Sequence, residues 1–116
     1  MMSEDELDLT QLAELQDALN QDLHALVATL VSDVERNLDQ VDRALFDDDL
    51  AAARRAAHAA RNGALLIDDR ALLDALAELE TSAQEGDHAR VRSARAALHE
   101  RWPSVRGALE RAAGAG

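Results

Sequence analysis

The chain contains no cysteine, no lysine and no tyrosine, and only one proline, one tryptophan and one phenylalanine. Without cysteine there are no disulfides, no thiolate nucleophile and no thiolate zinc site. With Phe46 and Trp102 as the sole aromatics, a core must be assembled from leucine, valine and alanine, whose small size lets helices approach closely. No segment approaches the roughly 18 consecutive apolar residues of a membrane span, so no membrane association is expected. The opening MMSEDELDLT is acidic and has neither the basic nor the apolar region of a signal peptide. A cytoplasmic location is therefore expected.

Alanine and acidic residues are abundant instead. The 116 residues suit one domain. Alanine and leucine are the strongest helix formers and dominate the composition, which predicts an all-α fold. The formal net charge of −11 is unevenly spread. Residues 1–50 hold 14 Asp or Glu against Arg36 and Arg43, whereas residues 51–116 hold 9 acids against 10 arginines. An acidic half without a cationic footprint argues against nucleic-acid binding.

Apolar periodicity divides the chain. Residues 1–8 read as a flexible acidic lead-in. Leu9, Leu12 and Leu15 predict a short helix over about 9–18, and ALNQD a turn in which Asn20 or Asp22 caps the second helix. Leu23, Leu26, Leu30, Val34, Leu38, Val41 and Leu45 then mark that second helix as amphipathic and ending near 46. In FDDDL, one of Asp47, Asp48 and Asp49 is expected to cap a third helix, with Leu50, Ala53, Ala57, Ala60 and Ala64 on its buried face. Gly63 weakens its end, and Asp68 or Asp69 caps the next helix, striped by Leu72, Leu73, Leu76 and Leu79. Gly86 reads as a stop and Asp87 as a new cap. The last long helix uses Val91, Ala94 and Leu98, with Trp102 as a packing anchor. Pro103 is expected to interrupt it or start a segment ending near Ala112, and residues 113–116 are expected to be loose. Short connections make neighbours antiparallel. The expectation is an antiparallel up-down four-helix bundle over residues 9–112 with a short extra N-terminal helix.

Within HAARNGALLIDD, His58 is the residue with most chemical promise. Stepping about 100° per residue from Leu50 puts the alanine stripe near 280–340° and His58 near 80°, on the solvent side. Arg54 and Arg61 fall near 40° and 20° and flank it at i−4 and i+3. An exposed imidazole, with a pKa near 6.5, keeps a nucleophilic nitrogen at neutral pH. Two guanidinium groups beside it can pair with phosphoryl oxygens. Small residues at 57, 59 and 60 leave room for another protein.

These residues, in this helix order, resemble the histidine-containing phosphotransfer (HPt) domain. That family is a helical bundle marked by a small residue, a phospho-accepting His, two variable residues, a basic residue and usually Gly, with a hydrophobic junction further along. Ala57, His58 and Arg61 match the signature, and Leu66 and Ile67 match the junction. Asn62 stands where the family usually has glycine, and Asp68 stands at a junction position often occupied by glycine. The segments LVSDVERNLDQVDRAL, DDDLAAARRAAH and LLDALAELETSAQEGD resemble the helices around the site. The resemblance implies a phosphorelay carrier. His58 would accept a phosphoryl group from an aspartate and Arg54 and Arg61 would stabilise its charge, with Ala51, Asn62 and Leu65 in the docking patch. The implied partners are response-regulator receiver domains or a hybrid histidine kinase, and a monomer is expected. No cofactor is expected on this chain, since Mg²⁺ would belong to the receiver.

Other readings fit less well. A histidine-kinase core would carry an acidic residue after the histidine, where Ala59 stands, and would need a glycine-rich ATP site, so no autokinase activity is expected. The only Glu-x-x-His spacing, Glu85 to His88, crosses the Gly86 turn, and no metal site is expected; His24, His88 and His99 read as surface residues. The main alternative is a helical partner-binding module, an adaptor or degenerate HPt, that carries no phosphate.

Overall fold

The computed structural model describes residues 9–114, with side chains described from residue 13 onward. The acidic lead-in over 1–8 lies outside the described residues. Four helices follow one another: α1 (Leu9–Phe46), α2 (Leu50–Ala64), α3 (Arg70–Gln84) and α4 (His88–Gly114). Each packs against its neighbours in sequence and α4 closes against α1, whereas the backbones of the diagonal pairs lie farther apart. The result is the expected antiparallel four-helix bundle, with its core along the central axis.

The turns are built on their aspartates. Asp49 caps α2 by accepting the Ala52 N–H at 3.0 Å, and Asp69 caps α3 by accepting that of Leu72 at 2.8 Å. Asp87 accepts the Arg90 N–H at 3.1 Å and opens α4. The preceding residues, Asp48 and Asp68, both have φ of 55°. Aspartate tolerates this left-handed conformation better than most L-residues, so Asp68 supplies the geometry of a junction glycine. Gly86, with φ of 72°, does the same between α3 and α4.

Leucines and valines line the axis. Val34, Leu72, Leu76 and Leu79 are fully buried, and Val41, Val91 and Leu98 almost so. Alanines 53, 57, 60 and 64 bury the whole inner face of α2. Polar ties cross the outside of the bundle. Arg95 Nε donates to Asp42 Oδ1 at 2.7 Å and His99 Nε2 lies 3.1 Å from the same carboxylate, tying α4 to α1. Partial burial pushes the Asp42 carboxyl up, but the hydrogen bonds from Arg95 and His99 outweigh it and hold the group below its usual range.

Three boundaries differ from expectation. There is no turn over ALNQD: α1 is one helix of 38 residues. No glycine or proline occurs within it, and the 3–4 leucine spacing runs unbroken from Leu15 through Leu30. Asn20 and Asp22 therefore sit inside the helix, and the short extra N-terminal helix is the first part of α1. Nor does Pro103 end α4. The proline forfeits the bond to the His99 carbonyl, but Trp102, Val105 and Ala113 continue the buried stripe on both sides of it, and that burial holds the helix together. Ala113 is 2% exposed, so residues 113 and 114 belong to α4, and residues 115 and 116 lie outside the described part.

The helices are unequal in length. At about 1.5 Å per residue α1 is about 57 Å long and α2 about 22 Å. Since α2 and α3 have 15 residues each, the first half of α1 extends beyond them. The molecule measures 66 × 21 × 19 Å.

Candidate functional site

His58 lies in the middle of α2, on the face opposite Ala53, Ala57, Ala60 and Ala64. Its side chain is 51% exposed. The antiparallel pairing of α2 with α3, set by the short link from 65 to 69, brings Glu80 beside it. His58 Nδ1 lies 2.7 Å from Glu80 Oε1. The same carboxylate reaches Arg61, with Arg61 Nη2 3.4 Å from Glu80 Oε2. Glu80 is only 15% exposed, and its bond to the half-exposed imidazole favours one ring orientation.

The bond fixes the chemistry of the ring. A carboxylate can only accept, so Nδ1 carries the proton and donates to Glu80. The neutral imidazole then has its lone pair on Nε2. Among the described residues Nε2 has no hydrogen-bond partner. A nucleophilic nitrogen is thus left free, with a carboxylate behind the ring to offset positive charge formed when Nε2 takes a substituent.

The other residues singled out from sequence are arranged around it. Arg61 is half-buried and held by Glu80. Arg54, one turn before His58, is exposed and makes no ion pair among the described residues, which makes it the freer cation. Ala51, Asn62 and Leu65 are all exposed. Leu65 and Leu66 expose 59% and 77% of their surface at the end of α2. Gly63 has open space where a Cβ would stand.

Glu80 does not stand out in the sequence. It directly follows Leu79 in the buried stripe of α3, and a charge at such an edge position reads as one more solvent-facing carboxylate. The available signal is the short 65–69 link, which folds α3 back along α2 and brings the 78–80 region level with His58.

His58 borders open surface. The larger grooves lie elsewhere: one of about 450 Å³ between α1 and the end of α4, floored by Val27, Val31 and Ala113, and one of about 490 Å³ beside Phe46 and His88. Among the described residues no cluster of three His, Asp or Glu is arranged to hold a metal, and no helix is long and apolar enough to cross a membrane. No family model, curated protein or solved structure matches the chain.

Proposed function

We propose that this protein is a histidine phosphotransfer carrier that relays a phosphoryl group between receiver-domain aspartates through His58. The observation that carries the reading is the 2.7 Å bond between His58 Nδ1 and Glu80, on an imidazole whose outer half is exposed.

In the forward step Nε2 attacks the phosphorus of a receiver's aspartyl phosphate. The Nε2–P bond forms, the P–O bond to aspartate breaks, and the aspartate leaves as carboxylate. The imidazole keeps its Nδ1 proton and becomes a phosphorylated imidazolium, whose charge Glu80 balances. Transfer to a second receiver is the reverse, so no proton has to enter or leave the ring. Arg54 is placed to accompany the phosphoryl oxygens, and Arg61 positions Glu80. Mg²⁺ bound on the receiver would neutralise the acyl phosphate. Leu65, Ala51 and Asn62 form the edge on which a receiver rests, in a contact that must be weak enough to release both partners. The expected location is the cytoplasm, where receivers and hybrid kinases act.

The test is to mix the protein with a phosphorylated receiver and follow the label. It should move to this chain, be acid-labile and alkali-stable, and vanish in His58→Gln. Glu80→Gln should slow transfer by about 10-fold without unfolding the bundle. Absence of label with every receiver from the source cell, on a folded protein, overturns the reading. Binding to a receiver without transfer would favour the partner-binding module, for which the exposed Leu65 and Leu66 are the supporting observation.

A further inference from the structure

The first half of α1 carries a second surface that phosphotransfer through His58 does not use. Leu15, Leu19, Leu23 and Leu26 expose 58%, 56%, 40% and 50% of their surface. Taking Leu19 as zero and stepping about 100° per residue, these four fall within about 40° of one line. Beyond residue 30 the same line passes the half-buried Asp33 and Asn37 and reaches Val41 and Ala44, which are 1% and 7% exposed under the neighbouring helices. The stripe is therefore a core-type face from which the partner helix is missing. Contiguous apolar patches of this kind mark interaction sites.

Its chemistry points to a particular occupant. Residues 1–35 carry nine acids and no Lys or Arg, which at first suggests a cationic partner. The acids do not face the seam, however. Within the seam, Glu14 and Asp17 lie at about 140° and 160° from the leucine line and Asp22 at about 60°, while Asp33, at about 40°, lies beyond the seam toward the level of α2. The seam itself is apolar, with Asp22 at one edge, so it offers little to a cation and only slight repulsion to its own kind. We propose that the occupant is a second copy of this chain, paired antiparallel through the overhanging half of α1.

The direction follows from shape. In a parallel pair each α1 would run on into the space that α2 fills in its neighbour, because α2 covers that face from about residue 30 onward. An antiparallel pair about an axis near residue 21 sends the two bundles to opposite ends. It sets Leu19 against the partner's Leu23 and Leu15 against the partner's Leu26. Each of these contacts occurs twice, as an isologous interface requires.

Eight half-exposed leucines and their flanking residues over about 18 Å of helix cover no more than the ~1,000 Å² lower bound for a specific interface. The dimer is thus a weak one, and the monomer expected from sequence is its dilute limit. His58 lies on α2, outside the seam, and stays open in both states.

Sedimentation equilibrium of the full chain tests the proposal. The mass should rise from 12.5 kDa toward twice that value between low and high micromolar concentration. Leu19→Asp and Leu23→Asp should each weaken association at least 10-fold with the bundle's unfolding transition unchanged. Because the chain has no native cysteine, one spin label at Ala13→Cys reads the direction. Antiparallel pairing separates the two labels by about 30 Å, and parallel pairing by less than about 20 Å. A mass fixed at the monomer value at all concentrations overturns self-association. A monomer that instead captures an 18-residue leucine–lysine amphipathic peptide assigns the stripe to a foreign cationic helix. Labels at the shorter distance overturn the antiparallel arrangement.

Discussion

The two halves of α1 share one helix and one period, yet they live in different surroundings. From Val27 to Phe46 the apolar face is mainly valine and is buried, with Val34 at 0% and Val41 at 1% exposure. From Leu15 to Leu26 it is leucine, the larger side chain, and about half exposed. Residue character does not decide this difference. The lengths of α2 and α3 do: they end where the valines end, and past that level α1 has only the last turn of α4 beside it. The ties that cross between helices, among them Asp42 to Arg95, Glu35 to Arg106 and Asp69 to Arg101, all belong to the bundle. No interhelical ion pair involves described residues 13–26.

The contrast can be broken most sharply by matched truncations. Leu76→Ala removes a fully buried side chain and should cost about 2–5 kcal/mol through lost burial and the cavity left behind. Leu19→Ala, in the overhang, should cost less than about 0.5 kcal/mol in dilute solution. Urea unfolding of the two variants measures the gap. Equal losses would mean that the overhang folds as part of the bundle's cooperative unit.

This contrast also marks how far local pattern reaches. The four-helix composition, the cap at Asp87, the aspartate clusters that supply the other two caps, and the buried alanine face of α2 are local matters of spacing and side-chain chemistry, and they were legible, although which aspartate of 47–49 and of 68–69 does the capping was not. The unity of α1 was not. Asn20 and Asp22 look like a turn when read alone, and only the unbroken leucine spacing outweighs them. Pro103 misleads in the same way, since Trp102, Val105 and Ala113 are buried by neighbouring helices and not by anything within α4. At the site, His58 and its exposure followed from helical geometry. Glu80 is 22 residues away from it, and pairing across two helices fixes such a contact. No local pattern announces it.

A smaller effect comes from acid, which should loosen the bundle and leave the overhang untouched. Asp69 caps α3 and accepts from Arg101 Nε at 3.0 Å. The hydrogen bond from Arg101, then that from the Leu72 N–H, holds its carboxyl below the ordinary value, which is about 3.9. A folded-state pKa below the unfolded one means that the unfolded chain takes up the proton first. Asp69 therefore contributes its full stabilisation above about pH 4, and the contribution fades as the pH falls through the lowered folded value. Asp69→Ala should cost about 1 kcal/mol at neutral pH from the cap. Asp69→Asn, which can still cap, should cost less and flatten the acid limb. Thermal unfolding between pH 2 and 7 distinguishes them, and an unchanged acid limb in Asp69→Asn would show that Asp42 and the other bridges carry the pH dependence.

The smallest effect tests where the bundle stops. Gly63 lies in the last turn of α2, at the level where the valines of α1 give way to leucines, and a Cβ there would meet nothing within 4 Å. Glycine inside a helix costs about 0.5–1 kcal/mol relative to alanine, and no neighbour in this chain requires that cost. Gly63→Ala should accordingly raise stability by up to about 1 kcal/mol, read as a higher urea midpoint with an unchanged slope. If instead it destabilises, the end of α2 is packed more tightly than the open space around it indicates, and the boundary between the covered and bare halves of α1 must lie nearer the N-terminus. If stability rises but phosphoryl transfer falls, the missing side chain matters to the docked receiver, not to the fold. That outcome would place the receiver's footprint across Asn62 and Gly63, immediately beside the exposed Leu65.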